Sequence, residues 1–339
     1  MECSTAASCP APFKPLPSRN EWRKWVKHSL WLLAVIIAVY SAAGLWAVRG
    51  DLARASQSLP WRVLPPVMGL VVLGWALRSL RWHYYVRHLR WPVSLPHSLL
   101  AFFASFAFSA TPGKVGEVVK SVLLRTRYDV PLADGAGVLL VERLGDLLAI
   151  LVLSAGGLVL LADGVPCFIL AAALILGVTL LVSHGPVYHR LFSLLARVPT
   201  LAGLVEKSLR LLDAGSRLLK PTPFLVGIAI VLLAWGCEGC AFHLLIRGFG
   251  VKVGLGTSCS IYALATLAGA LSALPGGLGS FEVVMVLLLT RLGLAAGQAT
   301  LPVLLFRFCT FWMGSFLGLI VFAGWILATP AKTSPQPQN

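Results

Sequence analysis

Apolar runs of close to twenty residues recur along this sequence, and they restrict what the chain can become more than any other feature. The clearest is LWLLAVIIAVYSAAGLWAV, nineteen residues from Leu30 to Val48. A helix needs ~20 such residues to cross a hydrocarbon core of ~30 Å. Inside lipid, only helices and closed barrels satisfy their own backbone hydrogen bonds. Further runs lie at about 63–82, 136–160, 166–183, 222–246, 257–274, 280–293 and 299–327. Charged residues make up only 12% of the chain, against about a quarter in soluble domains. These runs predict an all-α polytopic membrane protein with about 6–8 transmembrane or re-entrant helical segments.

The net charge of +15 suits cytoplasmic loops lying against anionic head groups. No nucleic-acid motif accompanies it. With the N-terminus inside, twenty Lys and Arg fall on the cytoplasmic side and five outside, while Arg143, Arg291 and Arg307 sit at depth or near an interface. That asymmetry predicts cytoplasmic N- and C-termini. The first run is longer than the ~7–15 residues of a signal-peptide core, so it reads as a spanning anchor.

Residues 1–29 read as a cytoplasmic tail ending in the basic-aromatic collar WRKWVK (22–27), and 329–339 as a disordered tail. The span at 63–82 ends in a second collar, RSLRWHYYVRHLRW. Residues 185–221 alternate leucines with Arg and Lys at helical spacing, as amphipathic helices on a membrane surface do. The seven cysteines suggest no disulfide framework, and Cys237 and Cys240 read as two thiols within an apolar helix.

One segment breaks the pattern. The run HSLLAFFASFAFSA stops at Pro112 and Gly113 after roughly fifteen residues, too short to span. TPGKVGEVVK then starts a new helix carrying charges. Pro112 lacks an amide proton and Gly113 tolerates unusual backbone angles. The new helix would present free amides, which can face a polar cavity and bind an anion such as phosphate.

The break has a counterpart. LPGGLGSFEVV (274–284) repeats Pro-Gly-x-x-Gly followed by a Glu, and Pro112 and Pro275 lie 163 positions apart. Downstream, Arg143 and Arg307 lie 164 apart. The near-constant offset predicts two repeat units, about 61–160 and 222–327, separated by the amphipathic insert 185–221. Under the orientation above the units are inverted, the arrangement by which many transporters build a midplane site. Two residues separate Gly279 from Glu282, whereas Glu117 follows Gly116 directly, so the two acids need not superpose.

Ionisable residues at membrane depth are expensive and usually face a cavity or a partner. The candidate substrate-binding residues are Gly113, Gly116, Glu117, Glu142, Arg143 and Asp146 in the first unit, and Gly276, Gly279, Glu282 and Arg307 in the second. Glu142 and Asp146 share a helix face, with Arg143 turned to a neighbouring sector. Arg143 and Arg307 can each grip a phosphate bidentately. Glu117 and Glu282 can pair with those arginines when no substrate is bound. A purely structural ion-pair role is the alternative, and Glu238 reads as a structural contact. No catalytic motif, cofactor signature or metal-binding pattern is present in the sequence.

On these residues the chain resembles the flippase-like transmembrane family, the membrane half of lysylphosphatidylglycerol synthases. The stretches TPGKVGEVVKSVLLRTRYDVPLADGAGVLLVERLGDLLAI and LPGGLGSFEVVMVLLLTRLGLAAGQATLPVLLFRFCTFW carry the likeness, over roughly 30–328. It implies lipid translocation in a bacterial-type cytoplasmic membrane. In fused members the membrane half moves aminoacylated phosphatidylglycerol that a soluble domain makes; no stretch here is long or polar enough for such a domain. The resemblance also implies a possible homodimer. Three readings follow: a flippase or scramblase for an anionic or isoprenoid-phosphate lipid; an intramembrane enzyme using Glu117, Glu142 or Asp146; and a scaffold for a separately encoded synthase or glycosyltransferase.

Overall fold

The structure, a computed structural model, describes residues 60–111, 116–155, 165–195 and 202–328. The tail and collar at 1–29, the run at 30–48, Pro112, Gly113 and the tail at 329–339 lie outside the described residues. Among the described residues there are twelve α-helices and no strands. In chain order they are α1 (Leu64–His88), α2 (Leu95–Ser105), α3 (Val119–Tyr128), α4 (Leu132–Ser154), α5 (Val165–Ser183), α6 (Gly185–Leu195), α7 (Ala202–Leu218), α8 (Pro221–Gly248), α9 (Leu255–Leu271), α10 (Ser280–Arg291), α11 (Ala296–Arg307) and α12 (Met313–Ala328).

Proline sets several starts. It occupies the first turn of α1, α2 and α8, where its missing amide has no partner to lose. α3 ends at Asp129, which adopts a left-handed conformation (φ 53°), and Pro131 precedes α4. A π-helical turn, Phe308–Trp312, joins α11 to α12.

Two helices are long and apolar enough to cross a membrane alone, Pro221–Gly248 and Ala296–Ala328. The pair Phe168–Ser183 and Gly185–Leu194, bent by 90°, brings the number to three if it is one span. α1 and α4 are also of spanning length, 25 and 23 residues, but carry charges in mid-helix. Those charges are where the site forms.

The packing is reciprocal between the two repeat units. α1 lies along α8. The broken helix of the first unit, α2, packs on α12 of the second, and its counterpart α9 packs on α4 of the first. An internal two-fold relation between the units requires this exchange. Small residues let backbones approach, the main adhesive where both solvent and core are apolar. A Cβ at Gly74 would lie 3.1 Å from the Ala234 carbonyl, and one at Gly318 would lie 2.3 Å from the Ala107 amide nitrogen.

The insert forms α6 and α7, as its periodicity predicts. Asp213 of α7 accepts hydrogen bonds from the Tyr188 hydroxyl (2.7 Å) and lies 2.9 Å from His189 Nε2. α7 also packs closely on α4, where a Cβ on Gly137 would meet the Leu211 carbonyl at 2.4 Å. α6 leaves Val187, Leu191 and Leu194 exposed.

Candidate functional site

Both repeat units border one cavity of about 360 Å³. Aromatic rings from α1, α2, α8, α9 and α10 form part of its wall, among them Trp75, Phe102, Trp235, Tyr262 and Phe281. Charged side chains form another part: Arg78, Arg81, Arg143 and Arg307 against Glu117, Glu142, Asp146 and Glu238. Burying so many charges requires that each be paired.

In the first unit, Arg143 Nη2 reaches Glu117 at 2.9 Å and Asp146 at 3.0 Å. Asp146 also accepts from Arg81 Nη2 at 2.8 Å. Lys120, fully buried, donates to Glu142 and lies 3.9 Å from Glu117. Its ammonium sits 4.4 Å from the centre of the Trp82 ring, a cation–π contact that partly replaces lost hydration.

In the second unit, Arg307 Nε donates to Glu282 at 2.6 Å and Nη2 to the Gly276 carbonyl at 2.7 Å. Gly276 and Gly277 have positive φ, 61° and 66°, which glycine adopts without steric cost. A Cβ at Gly276 would also come within 2.6 Å of the Phe311 ring. The Pro-Gly segment is thus shaped by its glycines and held by Arg307. The guanidinium lies between Phe281 and Phe311, 4.6 and 4.8 Å from the ring centres.

The two acids predicted to pair with the repeat arginines do so: Glu117 with Arg143 and Glu282 with Arg307. The extra residue before Glu282 does not prevent it. At the start of the second broken helix one amide is taken up by a side chain. The Gly279 amide donates to Glu282 Oε2 at 2.7 Å, so the carboxylate caps α10 while its other oxygen holds Arg307. Of the predicted residues, Glu117, Glu142, Arg143, Asp146, Gly276 and Arg307 line the cavity. Glu282 borders it through Arg307. Gly116 and Gly279 serve the turns, Gly116 by donating to Thr111 Oγ1 at 2.8 Å. Gly113 lies outside the described residues.

Two charged cavity residues escape the sequence reading. Arg78 and Arg81 were expected in an interfacial collar, yet Arg81 is 1% exposed and both line the cavity. Both lie within the expected span 63–82, and α1 continues six residues past it, to His88. Glu238 makes the structural polar contact expected of it, at the cavity wall. It accepts from both Arg78 and the Tyr262 hydroxyl beside the cavity. The missed signal is the spacing of Trp75, Trp82 and Tyr85, which with Arg78 and Arg81 marks one buried helix face.

Comparison with known proteins fits this arrangement. The family model described as lysylphosphatidylglycerol synthase TM region matches residues 30–318. The chain belongs to the lysylphosphatidylglycerol synthase transmembrane-region family. Relatives in the family include proteins described as UPF0104 membrane protein from Methanothermobacter thermautotrophicus. One is 27% identical over 312 residues, covering 86% of this chain and 91% of its own length. Another is 25% identical over 330 residues, covering 89% and 93%. The match covers the first repeat unit, the second as far as residue 318, and every residue that lines the cavity. The chain is a helical membrane protein, and a lipid-related role in the membrane fits its family.

Proposed function

We propose that this chain moves a phosphate-bearing lipid, an anionic phospholipid or an isoprenoid-phosphate-linked lipid, between the leaflets of a membrane as a flippase or scramblase. One observation carries the reading: a single cavity, aromatic on one part of its wall and charged on the other, is bordered by two Glu–Arg pairs at equivalent repeat positions. A lipid head group needs such polar lining, and its upper chain needs the rings. Each arginine can exchange its carboxylate for a phosphate, with similar bidentate geometry.

The chain has no chemistry of its own in this reading. Acid–base catalysis wants a carboxylate poised near the working pH, whereas every acid at the cavity is held by a cation. The partners are membrane lipids and, where the lipid is made elsewhere, its synthase or glycosyltransferase. The membrane is the cytoplasmic one with both termini inside. With Arg78, Arg81 and Lys120 moved to depth, seventeen of the twenty inward positive charges remain, against five outside.

Arg143→Ala and Arg307→Ala are expected to slow movement of a labelled phosphatidylglycerol in proteoliposomes by about tenfold each, the effect of losing one charged hydrogen bond. Both proteins should elute as the wild type does on size exclusion. Wild-type rates in both variants overturn the proposal.

A further inference from the structure

The four cavity arginines differ in how much hydrogen-bonding capacity the protein uses. Arg307 is committed: Nε to Glu282, Nη2 to Gly276, and its plane between two rings. Arg143 holds Glu117 and Asp146 through Nη2 and leaves Nε buried with no partner in the protein. Arg78 holds Glu238, lies 4.7 Å from the Trp235 ring centre and also leaves Nε unpartnered. Arg81 is the outlier. It makes one bond, to Asp146, and both Nε and Nη1 are buried without a protein partner. Gly145 faces it, and a Cβ there would lie 3.4 Å from Nη1.

Unsatisfied donors therefore concentrate on α1. Arg78 and Arg81 are three residues apart, on one face, and the Trp235 indole nitrogen beside Arg78 is unpartnered too. Among the described cavity carboxylates, the one buried oxygen without a partner is Glu142 Oε1. Cation and acid charges balance at the wall, but donors exceed acceptors. Leaving a buried charged donor unmet costs more than leaving a neutral one, so the surplus is suited to an incoming oxyanion.

We propose that Arg81, with Arg78 one turn away, anchors the phosphate of the lipid head group at the binding step, before Arg143 or Arg307 exchanges its carboxylate. This rests on the lipid-carrying reading above and assigns its binding step to helix α1. Arg81 is also the site that can be changed cleanly, because Asp146 has a second cation partner in Arg143, 3.0 Å away.

The test titrates the full-length protein in detergent with dioctanoyl phosphatidic acid, inorganic phosphate and dioctanoylglycerol by calorimetry. Wild type should bind phosphatidic acid and ignore the diacylglycerol. Arg81→Gln should weaken binding about 10- to 100-fold, the range for a lost charged hydrogen bond. Arg81→Lys keeps a cation for Asp146 but not the planar fork; it should still weaken binding, and it serves if the Gln variant fails to fold. The loss at Arg81 should exceed that in Arg307→Lys. Wild-type affinity in the Arg81 variants, or a larger loss at Arg307, overturns the anchor and leaves lipid movement standing. Equal affinity for inorganic phosphate keeps Arg81 as anchor and overturns the lipid reading. No binding of either phosphate by wild type overturns both.

Discussion

Replacing Lys120 by alanine is expected to lower the thermal midpoint of the purified protein by about 6–10 °C. Lys120 is fully buried, and its partner Glu142 is 1% exposed with one carboxylate oxygen already unpartnered. Removing the ammonium strands a buried carboxylate, at about 3–5 kcal/mol, and a chain of this size shifts by roughly 2 °C per kcal/mol. The pair as a whole is a different matter, since two buried charges replaced together by neutral groups of similar size are often tolerated. Lys120→Met with Glu142→Gln should therefore recover most of the loss. A double-mutant cycle on the thermal midpoints measures the coupling. A double variant no better than Lys120→Ala would show that Lys120 stabilises the bundle through Trp82 and Phe102 (5.4 Å away) rather than through Glu142.

The second large effect is expected at Gly318, where α12 crosses the broken helix of the other repeat unit. A side chain there would begin 2.3 Å from the Ala107 amide nitrogen and 2.6 Å from the Phe106 carbonyl carbon. Both obstacles are backbone, so neither can rotate away. Gly318→Val should cost at least the 1–3 kcal/mol typical of overpacking and displace Phe106 from the cavity wall, where it packs edge-on to Trp75 at 5.7 Å. Lipid movement in proteoliposomes should fall with stability. Gly324→Val is the control on the same helix, because a Cβ at Gly324 meets nothing within 4 Å. Equal melting of the two variants would contradict the close crossing.

Much of the bundle is legible in the sequence because lipid imposes a simple grammar on it. The runs at 166–183, 222–246 and 299–327 correspond to α5, α8 and the α11–α12 helix. The Pro-Gly repeats point to both broken segments, and a fixed offset between arginines finds Arg143 and Arg307. What stays hidden depends on how the helices pack. Arg78 and Arg81 sit among tryptophans and tyrosines, which mark a head-group boundary as readily as a cavity wall. Packing against the other helices distinguishes the two, burying Arg81 and setting both arginines at the cavity. The double duty of Glu282 is hidden for a related reason. Spacing alone gives the acid two partners, a helix start and an arginine, and the carboxylate takes both with separate oxygens.

The balanced ring of charges also bears on energetics across the membrane. Arg78, Arg81, Lys120, Arg143 and Arg307 are matched by Glu117, Glu142, Asp146, Glu238 and Glu282. Among the described residues this set carries no net charge, so a transmembrane voltage does no net work on it in the unloaded protein as the ring shifts with respect to the bilayer. A phosphate-bearing cargo changes that. Each elementary charge it brings is worth about 2.3 kcal/mol per 100 mV, and that work acts on the loaded form alone. In the proposed cycle, polarity across the bilayer would then favour one direction for the laden step and leave the empty return unbiased.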